Sequence, residues 1–185
     1  SVNSPQLLML SGVGSRETLE RFGIDVVMDL PGVGQNLQDH VMVPVAYHST
    51  QPITLAAATE PEQAEKLQKE GNGLLTSNIG EAGGFLKVLE ASEVPDLQFH
   101  FGPTWFILHG GGNPEGHGFT LLPGTVGTKS VGYLTLRSSD PNDPPIIDPN
   151  YLAEEDDMTV LLEGVQIARK LMNSAAFDDY RGEEH

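Results

Sequence analysis

Apolar positions along the chain fall into short blocks whose period changes, and each change marks an element. Leu7 to Leu10 follow a Ser4-Pro5 pair, which reads as an N-cap serine with proline at the first helical position, where a missing N–H costs nothing. Gly12 and Gly14 end that helix. Ser15 caps a second helix over 16–22, and Gly23 supplies its left-handed stop. Residues 24–28 are apolar and β-branched enough for a strand; Pro31-Gly32-Val33-Gly34 is a turn, and a further strand covers 41–48. Thr59 and Glu62 have capping-box spacing for a helix that runs to Glu70 and ends at Gly71. Glu62/Lys66 and Glu65/Lys69 are i,i+4 pairs on its exposed face. Residues 96–101 and 119–122 read as strands. Val131, Tyr133, Thr135 and Arg137 alternate with Gly132, Leu134 and Leu136, the period of a half-buried strand. Residues 140–149 are rich in Pro and Asp and read as a loop. Glu154 to Asp157 then place four acids at the positive end of a helix, whose apolar face is Met158, Leu161, Leu162, Val165, Ala168 and Met172. Strands with few helices between them indicate an α+β fold with a central antiparallel sheet.

Charge narrows the list of partners. The 185 residues carry 26 acidic and 10 basic side chains, net −16, so a nucleic-acid or anionic-membrane partner is disfavoured for want of clustered Lys and Arg. The excess reads as a solubilising surface. Cysteine is absent, which removes disulfides, thiolate nucleophiles and Cys-based metal sites. That composition fits a reducing cytoplasm, the expected location. No apolar run reaches the roughly 18 residues a membrane helix needs.

Candidate chemistry is sparse. Gly12-Val13-Gly14 and Gly32-Val33-Gly34 both lack the third glycine of G-x-G-x-x-G, so neither is a phosphate-binding loop. No G-x-S-x-G elbow occurs. His100, His109 and His117 are irregularly spaced and lack a matching carboxylate pattern, so no metal is expected. The glycine-rich stretch from His109 to Gly118 reads equally as a plain surface loop or as the rim of a pocket.

Ser4-Pro5-Gln6-Leu7-Leu8-Met9-Leu10-Ser11-Gly12-Val13-Gly14 resembles the second signature of the glucose-methanol-choline (GMC) flavin oxidoreductases. Asp29-Leu30-Pro31-Gly32-Val33-Gly34-Gln35-Asn36-Leu37-Gln38-Asp39-His40 resembles the segment that closes the family's first flavin-domain stretch. Glu81-Ala82-Gly83-Gly84-Phe85 and Pro95-Asp96-Leu97-Gln98-Phe99-His100-Phe101 are similar to its substrate-domain strands. Leu136 to Pro141 and Ile147 to Leu152 are similar to the start of its C-terminal region. Choline-dehydrogenase-like alcohol dehydrogenases are the nearest subgroup.

The resemblance implies an internal fragment of a two-domain FAD enzyme: a piece of a Rossmann-like FAD domain plus an antiparallel-sheet substrate domain with flanking helices. Residues 1–40 would end the first FAD-domain segment, 41–128 would form the substrate domain, and 129–185 would begin the C-terminal region. Ser1 fits the signature's second position, so the N-terminus is expected to be a cut. The implied activity is oxidation of a primary alcohol to an aldehyde by hydride transfer to flavin, with oxygen or a quinone-linked carrier as electron acceptor. A hydroxynitrile-lyase-like non-redox member and a non-catalytic small-molecule-binding fragment are the alternatives. The family's catalytic histidine would lie beyond His185, so no catalytic residue is assigned, and residues 1–185 alone are expected neither to hold FAD tightly nor to turn over. Asn36, Leu37, Asp39 and His40 are the implied cofactor contacts. Glu81, His109 and Trp105 are the implied substrate contacts, with Phe106 beside Trp105. One departure is Ser130-Val131-Gly132, where the family commonly has an Arg.

Overall fold

The computed structural model describes residues 2–107, 112 and 114–185. They divide into two compact units, 1–39 with 128–157 and 40–127 with 158–185.

In the first unit, helix α1 (Asn3–Leu10) begins one residue before the expected cap, so Ser4 lies inside it and makes no capping bond. Pro5 is tolerated because the first-turn N–H groups have no intrahelical partner. Strand β1 (Val13–Gly14) follows, then helix α2 (Arg16–Arg21), with Ser15 in extended backbone at its N-cap. The side chain of Ser15 does not cap the helix; instead Asp29 accepts the Arg16 N–H at 3.0 Å. Gly23 turns the chain at φ +67°, as its position required.

The strand expected over 24–28 shrinks to β2 (Met28–Asp29), which pairs in parallel with β1. Ile24 and Val26 pack instead against a small core of Met9, Leu19 and Leu136. The expected half-buried strand appears as β7 (Tyr133–Thr135). Its partner, β8 (Ile146–Asp148), lies within the stretch read as loop. Pro144 and Pro145 precede it, and the antiparallel pairing to β7 supplies the ladder that the local sequence does not advertise.

The second unit is built on a five-stranded antiparallel sheet. Its strands are β3 (Val45–Ser49), β4 (Ala82–Leu86), β5 (Leu97–Gly102), β6 (Gly118–Thr125) and β9 (Arg181–Glu184), in the spatial order β4-β5-β6-β3-β9. Helix α4 (Glu155–Met172) has its acidic first turn in the first unit and its body in the second. Val160, Ala168 and Met172 of that body join Val45, Tyr47, Leu97, Phe99, Phe119 and Leu121 in the main core. Gly164 is required there, because an added Cβ would sit 2.7 Å from Leu97. Met158 and Leu162, expected on the buried face, are exposed.

Helix α3 (Pro61–Glu70) starts with Pro61 and has Glu60 as its N-cap. Thr59 ends a preceding 3₁₀ turn (Leu55–Thr59) and forms no capping box. Gly71 closes α3 in the left-handed conformation. The last strand, β9, is charged at three of its four residues. It is held to β3 partly through Tyr47, whose hydroxyl donates to Glu184 at 2.9 Å, while the Arg169 guanidinium donates to the other Glu184 oxygen at 2.8 Å. Burial and the Glu184 hydrogen bond push the Tyr47 phenol above its usual range.

The hairpin joining β4 to β5 is organised by a buried carboxylate. Asp96 accepts the N–H groups of Val88 at 2.7 Å and Leu89 at 3.0 Å, one on each oxygen. Burial alone would raise its pKa; hydrogen bonds from the Ser92 hydroxyl and those N–H groups outweigh burial and hold it below the ordinary carboxylate range. A depressed folded-state pKa contributes stability that is full above the unfolded value of about 3.9 and is lost as pH falls through the lower folded one. Asp96→Asn is expected to cost about 2 kcal/mol at neutral pH. It is also expected to flatten the acid limb of stability measured by urea unfolding; an unchanged acid limb would refute the assignment.

Among the described residues no helix is long and apolar enough to cross a membrane.

Candidate functional site

Each unit presents one candidate surface. In the first, residues 36–39 form an exposed corner held from two sides. Asn36 is left-handed at φ +58°, a conformation asparagine tolerates better than most residues. Leu37 and Gly132 exchange both backbone hydrogen bonds, at 2.9 and 2.8 Å. Asp39 accepts a hydrogen bond from the Tyr151 hydroxyl, 112 residues away in sequence. That bond, with burial second, raises the Tyr151 phenol above its ordinary range. Tyr151 is itself set between two left-handed residues, Asn150 at φ +50° and Leu152 at φ +56°.

The corner brings together Asn36, Leu37 and Asp39, with His40 next in sequence at the start of the second unit. Gln38 donates to the Asn36 amide oxygen at 3.0 Å, so the end of Asn36 that remains for a ligand is its N–H₂ donor. A donor on a rigid, solvent-facing corner suits the carbonyl-bearing edge of a flavin ring. The Gly12-Val13-Gly14 turn does not suit its phosphates. An added Cβ on Gly12 would meet the Asp25 carbonyl at 2.4 Å, and one on Gly14 would meet the Met9 side chain at 3.0 Å. The chain itself fills both faces. The donor at Asn36 therefore fits an edge of FAD better than the Gly12–Gly14 turn fits its pyrophosphate.

In the second unit, one end of the sheet gathers the remaining candidates. Glu81 stands immediately before β4, and its carboxylate accepts from the Ser77 hydroxyl. The Ser77 oxygen in turn accepts the Ile79 N–H at 3.0 Å. At the same end, Thr120 of β6 is fully buried. Its hydroxyl donates to the Thr104 carbonyl at 2.8 Å and accepts the Phe106 N–H at 3.1 Å, which fixes the segment leaving β5.

Trp105 lies in that segment and is turned inward. It is 5% exposed, and its indole N–H donates to the Gly116 carbonyl at 3.1 Å. Its ring lies against Gly118, where a Cβ would fall 2.2 Å from the indole, and meets His48 edge-on at 4.7 Å between centroids. These contacts are those of packing. Phe106, its neighbour, is the exposed aromatic ring. His117 meets the Thr54 hydroxyl at 2.9 Å. His109 lies outside the described residues. Among the described residues no three His, Asp or Glu gather as a metal set.

Sequence reasoning named Glu81 but not Ser77, although the hydroxyl four residues earlier was visible. Thr120 carried no signal, because its two partners are 14 and 16 residues away and meet it only through the sheet.

Two family profiles, both described as GMC oxidoreductase, match residues 1–42 and 128–184, together more than half of the chain. The oxygen-dependent choline dehydrogenase of Brucella ovis is 41% identical over 190 aligned residues, which take in all of this chain and 34% of that protein. The mitochondrial choline dehydrogenase of Mus musculus is 42% identical, again over all of this chain and 32% of its own length. The chain thus spans about a third of the length of the curated relatives it matches. Among solved structures, a formate oxidase variant of Aspergillus oryzae, studied for its FAD modification, superposes with a TM-score of 0.84 at 25% identity, over all of this chain and 38% of that one. A pyridoxine 4-oxidase from Mesorbium loti superposes with a TM-score of 0.77 at 23% identity, over all of this chain and 33% of that one, which speaks to the fold alone.

Proposed function

The chain belongs to the GMC oxidoreductase family, whose members are FAD-binding flavoproteins, and from that premise we propose that it is part of an enzyme oxidising a primary alcohol to an aldehyde. The alcohol we favour is a choline-like cation. The observation that carries this reading is the Glu81 carboxylate, held at the open end of the sheet in a chain 41% identical throughout to a choline dehydrogenase.

The chain's own residues divide the work. Asn36, Leu37 and Asp39 form the corner that lies along the flavin, with Asn36 as hydrogen-bond donor, and His40 joins them on the resemblance alone. Glu81 faces the trimethylammonium group and holds it by charge, which orients the hydroxyl end away from the carboxylate. His109 is kept as a substrate contact on the resemblance alone. Phe106 provides an apolar wall, and Trp105 is buried beside Gly118 and His48. Bound FAD supplies the acceptor for the alcohol's hydride. No residue of this chain is assigned the hydroxyl proton, and the electron acceptor is oxygen or a quinone-linked carrier.

The test is reduction of the flavin by substrate in the protein that carries this chain. Anaerobic addition of choline should bleach the flavin's visible absorption, and readmitted oxygen or an added dye should restore it. A protein that leaves choline unchanged and its flavin oxidised would refute the reading, and cleavage of a cyanohydrin would point to the lyase alternative. Glu81→Gln is expected to lower kcat/KM for choline about thirtyfold, the equivalent of about 2 kcal/mol for a lost charged contact. The neutral tert-butyl isostere should be affected far less.

A further inference from the structure

The turn that delivers Glu81 is strained. Ile79 sits at φ +71°, which for a β-branched residue is an outlier rather than a tolerated variant. Two tight bonds hold it, Gly80 N–H to the Asn78 carbonyl at 2.9 Å and Glu81 N–H to the Ile79 carbonyl at 3.1 Å. Gly102 at the end of β5 makes room, because a Cβ there would fall 2.8 Å from the Ile79 oxygen. The Ile79 side chain is exposed, so burial does not account for isoleucine at a position that glycine would fill without strain.

Ser77 is where the strained backbone meets the functional side chain. One hydroxyl both accepts the Ile79 N–H and donates to the Glu81 carboxylate. Its single proton is therefore directed at the carboxylate, and its lone pair holds the strained residue. Strain of this kind persists where the surroundings over-determine it, and it concentrates at ligand clamps. Without the hydroxyl, Glu81 is a side chain with three free torsions on an edge strand.

We propose that Ser77 is a positioning residue for specificity: through its hydroxyl, and against the strain stored at Ile79, it aims the Glu81 carboxylate at a cationic substrate. The proposal rests on the reading of Glu81 as the cation-holding group. Ser77 touches no substrate, so its effect falls on the choice between charged and neutral alcohols.

The experiment measures kcat/KM for choline and for its neutral tert-butyl isostere in the flavin-loaded protein that carries this chain. The readout is the ratio of the two. Ser77→Ala should lower that ratio about fivefold, with the change in KM for choline, and Ser77→Thr should restore it. Ile79→Gly should lower the ratio while leaving the thermal midpoint unchanged or higher, since glycine relieves the left-handed strain. Selectivity then falls without a loss of stability, which a merely structural role would not produce. If Ser77→Ala fails to fold, Ser77→Thr and Ile79→Gly still decide the matter. A ratio unchanged in Ile79→Gly and Ser77→Ala but collapsed in Glu81→Gln overturns the role of Ser77 and leaves the reading of Glu81 intact. A ratio unchanged in Glu81→Gln overturns both. Perturbation of the loaded flavin's visible spectrum by a bound, non-reacting trimethylammonium ion gives a second readout independent of turnover, and it should weaken in the same order.

Discussion

Gly132→Ala is expected to destabilise the first unit by about 3 kcal/mol or more. The added Cβ would fall 1.9 Å from the Asp148 carbonyl oxygen and within 2.7 Å of the Pro149 backbone. Both neighbours are main chain, so no rotamer can yield. Gly132 also exchanges two backbone hydrogen bonds with Leu37, so it cannot retreat without breaking them. Those bonds anchor the 36–39 corner, so any flavin held there should loosen as well. Gly23→Ala is the control: it sits at φ +67° with nothing within 4 Å of the added carbon, and should cost only about 1 kcal/mol for the left-handed backbone. Urea unfolding followed by far-UV circular dichroism measures both, with hydrogen exchange at 128–157 to localise the loss. Trp105, the single tryptophan, reports the second unit by fluorescence. A loss below about 1 kcal/mol in Gly132→Ala would mean that the 132–149 approach is looser than the backbone distances state.

Asp157→Ala is expected to cost about 3 kcal/mol at neutral pH. Asp157 is 5% exposed, and its two oxygens accept the Lys129 N–H at 3.0 Å and the Ser130 N–H at 2.7 Å. The Ser130 oxygen accepts the Glu154 N–H at 3.1 Å, so one short ring of bonds joins residues 129–130 to the first turn of α4. Alanine would orphan two N–H groups and remove an acid from the positive end of the helix. Burial pushes the Asp157 carboxyl upward, but the Ser130 hydroxyl and the two backbone donors prevail and its pKa is lowered. Its contribution is therefore complete above the unfolded value of about 3.9 and fades as pH falls through the lower folded value. Stability of the parent chain should drop on that acid limb, while Asp157→Ala should start lower and show a shallower drop. Urea midpoints across the acid range decide this, and parallel curves would refute it.

Departures between local pattern and structure have specific causes. Ser4 and Thr59 both look like caps, yet neither makes the bond. Helix α1 starts at Asn3, ahead of Ser4, Pro61 takes the first position of α3 behind Glu60, and in α2 the distant Asp29 caps the helix end that Ser15 was expected to satisfy. Glu81 was legible as a candidate because an acid beside a glycine-rich strand resembles a known segment. The device that aims it was not, since a left-handed isoleucine contradicts its own propensity. Trp105 looked like pocket lining, and only the packing of Gly118 and His48 against its ring shows it turned inward.

By itself the sequence determined what depends on neighbours a few residues away. Gly23 and Gly71 stop their helices because glycine alone enters the left-handed region freely. The body of α4 follows from the 3.6-residue spacing of its apolar face. The α+β class follows from strands with few helices between them, and the family from unbroken runs such as 29–40. Tertiary structure decided what depends on partners far along the chain. The Pro- and Asp-rich stretch becomes β8 because β7 offers it a ladder. The acidic β9 becomes a strand because β3 has an open edge and Tyr47 and Arg169 meet Glu184. The corner at 36–39 exists because Gly132 and Tyr151 arrive from more than ninety residues away. A hydrogen bond between distant segments leaves no periodicity in either of them, so no reading of one segment alone can find it.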